Sequence, residues 1–237
     1  MSYGYDYSLA AQAAGSERAA FIRRTYAHLA GAILAFMGVE VLLFQVLGES
    51  GQKQVLDLLM FSRFSWLAVM LGFMGASWLA QTWAQSDSSR AMQYAGLGLY
   101  VVAEAVIFLP LLIIAEHYMP KAIPTAAILT LAVFGGLTLS VFVTKKDYSN
   151  LRPILCVGSL IALGVIVAGI FLGFTLGVFF SFAMVALMSG YILYYTSQVM
   201  LHYRTDQHVA AALALFAAVA TLFWYILRIV MATSSRD

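Results

Sequence analysis

The sequence predicts an all-α protein that crosses a membrane seven times. Three observations carry that prediction. Hydrophobic residues make up 62% of the 237-residue chain, at a mean hydropathy of +0.88. Only 10% of the residues are charged, against roughly 25% in a soluble domain, and a soluble fold of this size cannot cover so much apolar surface. The apolar residues also fall into seven stretches, each near the 20 residues that a helix needs to cross the hydrocarbon. A net charge of +2 provides no basic patch for a nucleic-acid backbone. The lone cysteine, Cys156, excludes a disulfide framework and a thiolate metal site.

The expected spans are Thr25 to Leu47, Trp66 to Ala84, Met92 to Ala115, Ile123 to Val143, Pro153 to Leu172, Leu176 to Thr196 and Val209 to Met231. The first is preceded by Glu17, Arg18, Arg23 and Arg24 and runs at full length into Gly48-Glu49-Ser50-Gly51-Gln52-Lys53. That pattern describes a retained helix followed by a loop; a cleavable signal has a shorter apolar core. No Asp, Glu, Lys or Arg occurs between Arg152 and Arg204. One helix over that stretch would reach about 75 Å, more than twice the core thickness. The chain therefore folds back, and Gly173 and Gly177 flank the expected turn. Trp66 and Trp83, with Tyr26 and Trp224, lie near span ends and fit interfacial belts.

Basic residues set the orientation. With the N-terminus inside, the inner segments hold Arg18, Arg23, Arg24, Arg90, Lys145, Lys146, Arg152 and Arg204, and the outer ones hold Lys53, Arg63, Lys121 and Arg236. Eight against four favours a cytoplasmic N-terminus. The organisation expected is a flexible N-terminal tail (1–24), one membrane domain (25–231) and a short C-terminal tail (232–237). Residues 1–16 are rich in Tyr, Ser and Ala with a single charge, which suits a tail.

Several membrane chemistries are excluded. All four lysines lie in loops, so no span offers a Schiff-base amine. No pair of intramembrane aspartates and no phosphate-binding glycine loop is present. His202 and His208 are six apart around a loop, which is not a metal spacing on one helix face. With no nucleophile, acid pair or metal cluster, the chain does not read as an enzyme and calls for no cofactor.

Three ionisable residues do lie within spans: Glu40, Glu104 and Arg228. A charge at the bilayer centre costs about 3 kcal/mol or more, so each needs a reason to be there. At about 1.5 Å per residue from the cytoplasmic ends, Glu40 lies about 22 Å deep, Glu104 about 18 Å and Arg228 about 28 Å. Arg228 either pairs with Glu104 or Glu40, latching the last helix into the bundle, or snorkels to the outer surface. The seventh span also carries Ala210, Ala214 and Ala218 at i, i+4, while Ala218, Thr221, Tyr225 and Arg228 share a face. Small residues let helices approach closely in lipid, so this helix is either enclosed by the others or half of a two-helix seam. Pro110 frees the carbonyl of Val106 near Glu104 and predicts a kink.

Several segments in order resemble one family. These are Phe21-Ile22-Arg23-Arg24-Thr25-Tyr26, Lys145-Lys146-Asp147-Tyr148-Ser149, Gly190-Tyr191-Ile192-Leu193-Tyr194-Tyr195-Thr196-Ser197, and the run from Leu215-Phe216 through Thr221-Leu222-Phe223 to Leu227-Arg228. Together they resemble the Bax inhibitor-1 (transmembrane Bax inhibitor motif) family, which includes the bacterial YccA and YetJ types, over roughly Phe21 to Met231. The resemblance implies six helices around a central seventh and a pH-sensitive calcium leak gated by two aspartates that share a proton. It also implies a multi-pass protein of the bacterial inner membrane. The chain departs from the family pattern at both sensor positions, which here are Tyr195 and Ala218. The family arginine is retained as Arg228, its acidic partner in span two is replaced around Ala76 and Ser77, and Glu104 stands where a small residue is usual. Two functions follow as expectations. The first is a passive cation leak, calcium being the ion implied, with Glu104, Glu40 and Arg228 as its charged elements. The second is a non-transporting regulator of membrane protein quality control that binds a membrane-anchored AAA protease through residues 2–16.

Overall fold

A computed structural model describes residues 8–86 and 89–234. Seven helices account for almost all of it: α1 (Gly15–Met60), α2 (Arg63–Ala84), α3 (Arg90–Tyr118), α4 (Ala122–Thr144), α5 (Arg152–Leu172), α6 (Val178–Leu201) and α7 (His208–Ser234). All seven are long and apolar enough to cross a membrane, and each contains the span expected from the sequence apart from the first residues of the sixth. The protein is an all-α polytopic membrane protein.

Local chemistry sets the helix ends. Ser62 and Ser89 cap α2 and α3 by accepting the amide protons of Phe64 and Met92, which satisfies donors the helix leaves free. Lys145 (φ 52°) and Gly173 (φ 76°) close α4 and α5 in the left-handed region. Gly173 and Gly177 flank the α5–α6 turn as expected. Helix α3 continues through Pro110, which is buried within it.

The segment after Leu47 is a loop only at one residue. Gly48 leaves helical geometry at φ 55°, ψ −174°, a conformation a side chain resists. The chain then resumes a helix to Met60, where Leu56, Leu58 and Leu59 are strong helix formers.

Helix α7 is the most enclosed. Fifteen of its residues are buried, including Ala210, Ala211, Ala212, Leu215, Ala218 and Leu222. It packs against α1, α2, α3, α4 and α6. Five helices surround it rather than the expected six, because α5 packs on α6 and α2 instead. Phe36, Phe108, Tyr100 and Phe216 interlock around it with edge-on ring contacts of 5.1 to 6.1 Å. The tightest crossing joins α2 to α3. A methyl group at Gly96 would meet the Ala80 carbonyl oxygen at 2.5 Å and the Ala84 nitrogen at 2.6 Å, so only glycine allows that approach.

The segment expected as a free tail is docked from Ser8 onward; residues 1–7 lie outside the described residues. Leu9 bridges Arg204 in antiparallel fashion, the Ala10 amide donates to the Tyr203 carbonyl at 2.9 Å, and Ala10 is fully buried. Thr205 donates its hydroxyl to Glu17 at 2.7 Å. The start of the chain is thereby tied to the α6–α7 turn. Beside it, His202 meets Asp147 of the α4–α5 loop at 2.9 Å, and the Tyr148 amide donates to Ser197.

Candidate functional site

Glu104 sits in the middle of α3 and is buried to 3% exposure. It lines a cavity of about 360 Å³ whose walls are mainly aromatic and aliphatic: Trp66, Phe108, Trp224 and Tyr225, closed on one side by Ile166 of α5. Trp66 and Trp224 stack here at 6.2 Å, so these two tryptophans serve as cavity wall. Arg228 and Thr221 from α7 line the same cavity, as their shared helical face requires.

Arg228 does not pair with either glutamate. Its guanidinium donates to the Leu176 carbonyl at 2.9 Å and lies 6.0 Å from the centre of the Tyr225 ring. The predicted ion-pair latch is therefore corrected. The side chain extends to the α5–α6 turn, where a carbonyl outside any helix still has lone pairs to offer. The outcome is a latch on the turn rather than on a carboxylate.

Glu40 stands apart from this cavity. It is buried on α1 at 6% exposure, and both of its carboxylate oxygens lack a hydrogen-bond partner. The charged elements expected to act together thus divide: Glu104 and Arg228 share one cavity, and Glu40 does not line it.

The two family sensor positions do not line this cavity. Tyr195, half-buried on α6, stacks on Tyr191 at 5.6 Å. It is close enough to Tyr100 to interact electrostatically, and Tyr100 in turn faces Glu104 one turn along α3 and Ser77 of α2. Ala218 is buried on α7. Four further side-chain hydroxyls, those of Thr25, Tyr26, Thr138 and Thr196, are buried. Tyr26 lies beside Thr138 and Thr196. Tyr100 escaped the sequence reading, although its i, i+4 spacing from Glu104 was a usable signal. The cluster of Tyr26, Thr138 and Thr196 joins three helices and had none.

Comparison with known proteins bears directly on this arrangement. The profile of a family described as "Inhibitor of apoptosis-promoting Bax1" matches residues 18–236. The chain belongs to the Bax inhibitor-1 family. Two similar proteins are the uncharacterized proteins NMA0420 and NMB2020 from Neisseria meningitidis serogroups A and B. Each is 29% identical over 151 residues, covering 60% of this chain and 63% of its own length. The chain thus spans somewhat under two thirds of these relatives. No solved structure matches. As a member of the Bax inhibitor-1 family, the protein carries Tyr195 and Ala218 where the resemblance places two aspartates, and it places its own buried carboxylate, Glu104, across Tyr100 from the first of them.

Proposed function

We propose that this Bax inhibitor-1 family protein is a passive cation leak, with calcium as the ion, in which Glu104 provides the membrane-buried carboxylate. One observation carries the reading. Glu104 lines a cavity of about 360 Å³ on one side and reaches through Tyr100 toward the sensor position Tyr195 on the other. A buried acid on such a line is the usual mark of an ion path. Hydroxyl and carboxylate oxygens are the ligands a hard cation such as calcium accepts. Carboxylate pairing between α6 and α7 is not available, so the gate is built differently: Arg228 holds α7 to the α5–α6 turn, and opening separates them. We place the protein in the bacterial inner membrane on its resemblance to bacterial family members, and its N-terminus in the cytoplasm on the distribution of Lys and Arg.

The test is calcium flux into proteoliposomes of the purified protein. Flux in the parent that Glu104→Gln abolishes supports the reading. No flux in the parent, with flux appearing in a Tyr195→Asp, Ala218→Asp double variant, overturns it and leaves the non-transporting role beside a membrane-anchored AAA protease.

A further inference from the structure

Helices α1 and α3 run away from the same face of the membrane domain and pack along each other. Between them lies a second groove of about 460 Å³. Composition explains it: α1 presents Ala27, Gly31 and Ala35 at i, i+4, and α3 presents Gly98. A methyl group at Gly31 or Gly98 would meet nothing within 4 Å. These residues are exposed, so the groove opens sideways toward lipid. It extends along α1 from His28 to Val39, about 16 Å, close to half of the roughly 30 Å hydrocarbon core. It therefore has the length of one leaflet's acyl layer.

The end of the groove nearest the helix starts is polar. His28 Nε2 and the Tyr94 hydroxyl lie 3.1 Å apart across it. One helical turn further out, in line with the groove on each helix, stand Arg24 and Arg90. Arg24 accepts the His28 ring through its carbonyl at 2.7 Å; Arg90 precedes Tyr94 by four residues. The His208 ring packs against His28 at 4.9 Å, and Arg24 and Arg90, each four residues before one member of the His28–Tyr94 pair, stand at this same end. Both are exposed, and neither forms an ion pair among the described residues.

We infer that this groove binds an anionic phospholipid, with one acyl chain along Gly31 and Gly98 and the phosphate on Arg24 and Arg90. The two halves of the site select the ligand jointly. A free phosphate would meet the arginines but leave the apolar slot empty. A zwitterionic lipid would fill the slot but gain less from two guanidinium groups at headgroup level, where basic residues between helices recognise anionic heads. The groove's small residues are also those that permit close helix pairing, which makes a second copy of the chain the competing occupant.

The experiment is native mass spectrometry of the full chain in mild detergent, titrated with dioleoyl phosphatidylglycerol or dioleoyl phosphatidylcholine. The parent is expected to retain phosphatidylglycerol preferentially as a monomer. Arg24→Gln with Arg90→Gln is expected to weaken phosphatidylglycerol binding about thirtyfold while leaving phosphatidylcholine unchanged. Gly31→Leu fills the groove and is expected to remove both lipids without lowering the thermal transition measured in detergent alone. Equal retention of the two lipids by the parent, phosphatidylglycerol preference surviving in the arginine variant, or lipid still bound by Gly31→Leu overturns the inference. So does a parent dimer that Gly31→Leu converts to monomer with lipid binding unaltered.

Discussion

Arg228 on α7 donates a hydrogen bond to the carbonyl oxygen of Leu176, 52 residues earlier in the α5–α6 turn, at 2.9 Å. It is a charged donor meeting a neutral acceptor, and it ties the enclosed helix to that turn. Hydrogen bonds to charged groups contribute about 1.5 kcal/mol or more. Arg228→Met is expected to lower stability by about that amount in thermal unfolding in detergent, with Arg228→Lys in between. A loss as small as that of an ordinary surface substitution would show that the guanidinium is satisfied by water instead.

The α2–α3 crossing gives a sharper steric expectation. Gly96→Ala places a methyl group 2.5 Å from a backbone oxygen of the neighbouring helix, and neither backbone has a flexible end that can yield. The helices must separate, at a cost of about 2 kcal/mol. Gly75→Ala on α2 meets nothing within 4 Å and is expected to be neutral. Comparison of the two transition temperatures checks this, and equal stability of the pair would refute the close approach.

Glu40 is predicted to be a burden on the fold. Its carboxylate oxygens are buried and have no partner, so an apolar residue of similar length loses no hydrogen bond there. Glu40→Met is expected to raise stability by about 1 to 3 kcal/mol. A lower transition temperature for the variant would mean that the carboxyl is held by a partner, such as bound water, after all.

Acid sensitivity should arise at the α4–α5 loop. The Ser149 hydroxyl and amide, together with His202, hold Asp147 down to about 2. A carboxyl depressed in the folded state contributes stability that is complete above its ordinary range near 4 and is lost as pH falls through about 2. Asp147 is largely exposed, so the contribution is small and weakens with salt. Asp147→Asn is expected to flatten the stability profile between about pH 4 and pH 2 and to leave it unchanged at neutral pH apart from a constant offset. A parent-like acid limb in the variant would assign that limb to other carboxyls.

The sequence announced the seven helices because hydropathy and length are properties of contiguous residues, and the bilayer turns them directly into spans. The α5–α6 turn was legible for a related reason: an uncharged run from Arg152 to Arg204 is too long for one crossing. Arg228 was readable as a residue needing an explanation, but its partner was not, since a backbone carbonyl has no residue type to search for. The same holds for the docking of Ala10 on Tyr203, which is made through the main chain. The grouping of Glu104 with Arg228, and the isolation of Glu40, depend on how α1, α3 and α7 are rotated about their axes. Depth along each span, which the sequence does give, does not determine that rotation.

The burial of α7 has a consequence for how the molecule is made. Chains fold from the N-terminus as they are synthesised, yet the helix that the others surround is the seventh in order. Helices α1 to α4 and α6 enter the bilayer before the surface they will share exists, with Phe36, Phe108 and Tyr100 still lacking Phe216. Until α7 arrives, lipid or neighbouring helices must occupy its place. Assembly therefore finishes by inserting the centre into a ring already laid down, and a chain interrupted before His208 is left as a wall with nothing inside it.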